Sequence, residues 1–198
     1  MKKLDEFKSH LKEGRVYRRA DLAQWSNAVD RHIALLVKDG VLEKLSGGLY
    51  HTPKKSVFGS MPPDEPTLVR TFLKDDEFLL TSPNAYNSLG VGTTQLYNKR
   101  VVYNHKRHGE FKLGGRNFFF HVRHRFPKNV TEEFLLVDLV NNLKELAEDQ
   151  DEVLQKVLVK AKAMNTGKLK RSVSSYGNMR TKTLFAPLLK NQVSAYGA

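Results

Sequence analysis

The chain opens on apolar residues spaced by three and four. Leu4, Phe7 and Leu11 fall on one side of a helix, and Gly14 follows where that helix would stop. ADLAQW predicts a second short helix with Leu22 and Trp25 on one face. Ser26 or Asn27 then offers an N-cap oxygen to a third helix, in which Val29, Ile33, Leu36 and Val37 form the buried stripe and Gly40 marks the end. The pattern changes at VLEKLSGGLY, residues 41–50. Leu42, Leu45, Leu49 and Tyr50 flank Gly47 and Gly48, which permit the positive backbone angles of a tight hairpin turn. Three helices, the last two joined by a short turn, followed by a hairpin, are the order of a winged helix-turn-helix.

Beyond the hairpin, Pro53, Pro62, Pro63 and Pro66 with Gly59 break regular structure and predict a linker over residues 56–64. PTLVRTFLKDD then reads as a helix with Pro66 in its first turn, EFLL as a buried strand, and PNAYNSL as a helix capped by Ser82 and stopped by Gly90. KRVVYNH, GEFKL and RNFFFHVR read as strands with a turn at Gly114 and Gly115. Thr131 is an N-cap candidate, with Glu132 and Glu133 in the positive first turn of an apolar helix. DEVLQKVLVKAKAM continues as another helix, and LKRSVSSYG and TKTLFAPLL add shorter pieces, the last interrupted near Pro187. The expected fold class is α+β. A winged helix-turn-helix occupies residues 1–55, and a mixed domain with a small antiparallel sheet and a helical tail occupies residues 65–198.

Charge narrows the choice of partner. The 33 Lys and Arg against 21 Asp and Glu leave +12, which points to a polyanion, nucleic acid first. Residues 1–55 carry 12 basic and 7 acidic side chains, 56–128 carry 11 and 6, and 129–198 carry 10 and 8, so the first two thirds hold nearly all the excess. Cysteine is absent, which removes thiolate metal sites, cysteine nucleophiles and disulfides, and fits a reducing cytoplasm. The N-terminus lacks an unbroken apolar run and no stretch of about 18 apolar residues occurs, so neither signal peptide nor membrane span is expected.

On the third helix, Asn27, Arg31, Ala34 and Lys38 lie opposite the apolar stripe. Arg31 is suited to bidentate contact with guanine and Asn27 to adenine, which makes them the expected base readers. Arg15, Arg18 and Arg19, before and at the start of helix two, are placed to grip phosphates, and Lys44, His51, Lys54 and Lys55 would line the wing with charge. A solvated helix surface with scattered charge is the plainer alternative.

Other motifs carry less. LGVGTTQLYN, residues 89–98, lacks the lysine of a phosphate loop and precedes strand rather than helix, so a structural turn is expected. His105 and His108, and His121 and His124, form two H-x-x-H pairs, but on strands positions three apart face opposite ways. With Lys106, Arg107, Arg116, Arg123 and Arg125 they read instead as a second basic face, including His105, that touches nucleic acid or an acidic protein. Asp75, Asp76 and Glu77, or Glu132, Glu133 and Asp138, sit beside no base or glycine-rich loop, and no nucleophile elbow occurs.

The segments YRRADLAQW, VDRHIALLVKDGVLEKLSGGLYHTPK, SPNAYNSLG and EFLLVDLVNNL, in order over nearly the whole chain, resemble the AbiEi-type antitoxins of bacterial abortive-infection, type IV toxin–antitoxin systems. The resemblance implies an N-terminal winged helix that represses its own operon and a C-terminal domain that counteracts a nucleotidyltransferase-like toxin. The expected activity is therefore sequence-specific repression without catalysis or cofactor. Its partners are the protein's own operator, as double-stranded DNA, and a cognate toxin; the oligomeric state is monomer or dimer. Two alternatives stand beside it: an RNA-binding protein or metal-independent ribonuclease using the His/Arg-rich strands, and a protein-interaction module.

Overall fold

The structure, a computed structural model, describes residues 2–57 and 59–191 and is of the α+β class. It forms two compact units. One holds the chain up to Asp76 together with Glu110–Phe118, and the other holds Glu77–Gly109 and the chain from Phe119 onward. No helix among the described residues is long and apolar enough to cross a membrane.

In the first unit, α1 (Lys2–Ser9) buries Phe7 completely, and Gly14 turns the chain at φ +75° into β1 (Val16–Arg18). Next come α2 (Arg19–Ala23), α3 (Val29–Lys38), β2 (Glu43–Ser46) and β3 (Leu49–His51). The three strands form an antiparallel sheet in the order β1-β3-β2, with Val16 opposite His51 and Lys44 opposite Tyr50. Phe7, Tyr17, Leu22, Val29, Ile33, Leu36 and Leu42 share one core, and Trp25 meets Phe7 and Tyr17 edge-on at 6.5 and 5.9 Å. Of the two hairpin glycines, Gly48 is the one at positive φ, +71°.

Two expectations change here. The third helix starts at Val29 with Ala28 as its cap residue, because Ser26 spends its oxygen elsewhere: Oγ accepts from the Ala28 N–H at 3.0 Å and bonds His32 Nδ1 at 2.9 Å. Asn27 therefore lies in the turn before the helix. Residues 56–64 are not a plain linker. β4 (Lys54–Ser56) and β5 (Gly59–Met61) pair antiparallel, and Asp64 then caps α4 (Glu65–Leu73) by accepting from the Thr67 N–H at 2.8 Å. α4 buries Leu68, Val69 and Leu73 and packs on β1, so the boundary between the units falls after Asp76.

The second unit carries β6 (Phe78–Thr81), a 3-10 helix (Pro83–Leu89) where a regular helix was expected, and β7 (Arg100–Asn104). β8 (Gly109–Leu113) and β9 (Arg116–Val122) complete a sheet of order β6-β7-β9-β8, of which the hairpin tip Glu110–Phe118 belongs to the first unit. The domain expected over residues 65–198 thus loses both its first helix and this tip, because burial follows neighbours in space rather than in sequence.

Four helices close the second unit: α5 (Glu132–Asn142), α6 (Gln150–Ala163), α7 (Thr166–Tyr176) and α8 (Met179–Asn191). Thr131 caps α5 as expected, its oxygen accepting from the Phe134 N–H at 3.2 Å. Every residue of α5 from 134 to 140 is buried, which makes it the central helix of the unit. α8 runs through Pro187 uninterrupted, since Leu184, Phe185, Leu188 and Leu189 on both sides of the proline pack into the helical core.

Candidate nucleic-acid interface

Helix α3 turns Val29, Ile33 and Leu36 inward, and the hundred-degree step leaves the opposite edge in water. Arg31, Ala34 and Lys38 are all exposed there, with Leu35 beside them, and Asn27 is exposed just ahead of the first turn. Lys44 on β2 and Lys54 and Lys55 on β4 are exposed as well. These positions keep their charge available to a ligand.

The three arginines expected to grip phosphate separate into three situations. Arg15 is exposed in the turn that leads into β1. Arg18 is half-buried and turned inward: Nε donates to the Thr71 carbonyl at 2.6 Å and Nη2 to that of Phe72 at 2.5 Å. It satisfies carbonyls in the last turn of α4, where a cation also meets the negative end of the helix. Arg18 is therefore a structural residue, a role that required knowing where α4 lies. Arg19 is exposed but forms a two-point pair with Asp30 on α3, at 2.7 and 2.6 Å. The bond holds the Asp30 carboxyl below, and the guanidinium above, their ordinary ranges. Asp30 was missed in the sequence, although its place one residue before Arg31 put it on the flank of the polar edge.

His51 does not place charge on the wing. It is 1% exposed in the central strand β3, opposite both Val16 and Glu43. Burial lowers its pKa, partly offset by Glu43, whose carboxylate is 3.8 Å from Nδ1. Strand alternation explains the placement, since Leu49 and His51 share the buried side while Tyr50 faces the other way.

The second basic face is only partly assembled. His105, Lys106, Arg107 and His108 form the turn after β7, framed by buried Asn104: its Oδ1 accepts from the Lys106 and Arg107 N–H groups at 2.8 and 2.7 Å, and its Nδ2 donates to the Arg107 carbonyl at 2.9 Å. The His108 and His121 rings meet edge to face with centroids 5.6 Å apart, His105 stacks on Phe126 at 4.7 Å, and the Arg123 guanidinium lies 5.6 Å from the Tyr103 ring centre. Arg125 is exposed. Burial, then Arg123, lowers the pKa of half-buried His121. Arg116 departs from this group. It belongs to the first unit and donates to the Pro63 carbonyl at 3.3 Å and to Glu65 at 3.4 Å.

Two further features are internal supports. In the loop over residues 89–98, the Thr94 and Gln95 N–H groups both donate to Glu148 Oε1 at 3.1 Å, so donors that could greet a phosphate hold a carboxylate of the chain itself. Buried Asp138 accepts from Tyr86 Oη at 2.8 Å, Tyr103 Oη at 2.7 Å and Asn142 Nδ2 at 3.1 Å. Its burial outweighs these bonds and raises its pKa. Among the described residues no three His, Asp or Glu side chains converge on a metal-sized site.

No curated protein and no solved structure matches the chain. A family model does match, from the second residue of α1's described stretch into α7, and so reaches across both units. Its description reads "Family of unknown function (DUF6088)", it covers residues 3–169, and the chain belongs to that family.

Proposed function

We propose that the protein is a sequence-specific DNA-binding repressor whose first unit acts as a winged helix-turn-helix. The observation that carries this reading is the exposed, cation-bearing edge of α3, with Arg31 and Lys38, leading into the β2–β3 hairpin of a β1-β3-β2 sheet. A helix so presented fits the major groove, with Asn27 and Arg31 nearest the bases and Lys44 beside the backbone. The function needs neither cofactor nor catalysis. In this reading the protein is cytoplasmic and serves as the antitoxin of a type IV toxin–antitoxin pair. It binds its own operator and counteracts a nucleotidyltransferase toxin. The antitoxin part rests on the AbiEi resemblance.

Binding to a duplex from the chain's own upstream region, compared with random duplex across a salt series, tests the first part. Preference for the upstream region, with affinity falling steeply as salt rises, is expected; equal binding to both would overturn sequence specificity. The second part predicts a nucleotidyltransferase encoded beside this protein, and co-expression of the two tests it. Toxicity unchanged by this protein would remove the antitoxin role.

A second reading has its own observation, the pairing of His108, on a turn rich in cations, with His121 on β9. Two imidazoles and an arginine can act as acid, base and phosphate ligand in RNA cleavage. Metal-free cleavage of RNA, lost in His121→Gln, would favour it over the repressor.

A further inference from the structure

The β4–β5 ribbon exposes all six of its strand residues, so it buries no core of its own. An isolated two-stranded ribbon gains little stability by itself, yet this one is firmly rooted. Pro53 and Pro63 on either side are buried. The Thr52 N–H donates to the Arg15 carbonyl at 3.0 Å, the Gly14 N–H donates to the Thr52 carbonyl at 2.6 Å, and the Lys54 stem lies over Gly14. At the far end Ser56 Oγ donates to the Gly59 carbonyl at 2.9 Å, and Val57 is 95% exposed. Residues 44–63 contain three lysines and no carboxylate. Arg15 brings a further exposed cation to the root, against Glu13 next to Gly14.

We propose that this ribbon is a second DNA-contacting arm. Lys54, Lys55 and Arg15 bind phosphates flanking the stretch read by α3, and the Val57 tip rests on sugars and base edges in the minor groove. The inference rests on the repressor reading and extends the duplex that the protein covers. The ribbon strands carry Lys54 and Lys55 and no carboxylate, a charge that suits a polyanion. The ribbon as a whole is too wide for a groove of about 6 Å, but its exposed Val57 tip can lie over that groove, where apolar side chains press against base steps. The ribbon root lies at the end of β3 away from the Gly48 turn, so ribbon and wing meet separate stretches of backbone.

The full-length protein, the Lys54→Ala/Lys55→Ala double variant and Val57→Asp are compared on upstream and random duplexes by salt titration and hydroxyl-radical footprinting. Matching melting curves establish that all are folded. For the double variant, affinity for both duplexes falls about 10-fold or more. The ratio between the duplexes holds, and the slope of log affinity against log salt drops by about 2, near 0.9 per lost phosphate contact. Both variants lose minor-groove protection on one flank. Wild-type affinity, slope and footprint in both variants would overturn the ribbon's role while leaving the α3 reading intact. Failure of the wild-type protein to bind any duplex at low salt would overturn both together.

Discussion

Arg19 and Asp30 face each other as a two-point pair, Nε to Oδ1 at 2.7 Å and Nη2 to Oδ2 at 2.6 Å, with both side chains open to solvent. A DNA phosphate seeking Arg19 must compete with this carboxylate. Asp30 also stands next to Arg31, so the proposed reading edge carries its own negative charge. Such a carboxylate weakens contact with any duplex, whatever its sequence.

Asp30→Asn removes that competitor. Random duplex is expected to bind about 3- to 10-fold more tightly at low salt, with the salt slope steepened by about one phosphate contact. Unchanged affinity and slope would mean that Arg19 takes no part in binding.

Arg31→Ala tests base reading directly. The loss on the upstream duplex is expected to be about 1 to 3 kcal/mol, with preference blurred at one base pair and little change on random duplex. Competition with single-base variants of the duplex measures this. Uniform weakening on all sequences would reassign Arg31 to phosphate contact.

Arg18→Ala separates structure from binding at a neighbouring arginine. It leaves the Thr71 and Phe72 carbonyls without their guanidinium donors, a loss of about 1 to 3 kcal/mol in stability. The change is read from urea denaturation. DNA affinity of the folded protein should stay near wild type, and a selective loss of affinity at full stability would restore Arg18 to the interface.

Acid should destabilise the first unit through His51. Its pKa in the folded chain lies below the ordinary value of 6.5, so the unfolded chain binds the proton more readily. The stability owed to neutral His51 is complete above pH 6.5 and is lost as pH falls from there through the folded value. Denaturation midpoints in urea should therefore drop below pH 6.5. His121 is shifted in the same direction by its own burial. His51→Leu combined with His121→Leu should flatten the pH profile; an equally steep profile in the double variant would exclude both imidazoles as its source.

Asp138 joins two tyrosine hydroxyls and an amide inside the second unit. Asp138→Ala leaves all three donors without it and should lower stability by more than Asp138→Asn, which keeps one acceptor oxygen and should cost about 1 to 3 kcal/mol. Thermal melting compares the two. Equal melting temperatures would show that the network is relieved by water.

Whatever depends on neighbours three or four residues away was legible in the chain. The stripe Val29, Ile33 and Leu36, the turn at Gly48 and the Thr131 cap all follow from periodicity or from a side chain reaching its own backbone. The exposed edge with Arg31 and Lys38 follows from the same wheel, since burying one face leaves the other in water. Tertiary structure decided the roles of side chains whose partners are distant in sequence. Arg18 turned to carbonyls more than fifty residues away, and Arg116 likewise to Pro63 and Glu65. His51 became buried because it shares with Leu49 the covered side of β3, the middle strand of its sheet. The proline-rich stretch closed into a ribbon, and α4 joined the first unit because β1 offered its apolar face a surface. A charged side chain pairs with whichever opposite group the fold brings within reach, and that distance is set only once the elements have packed.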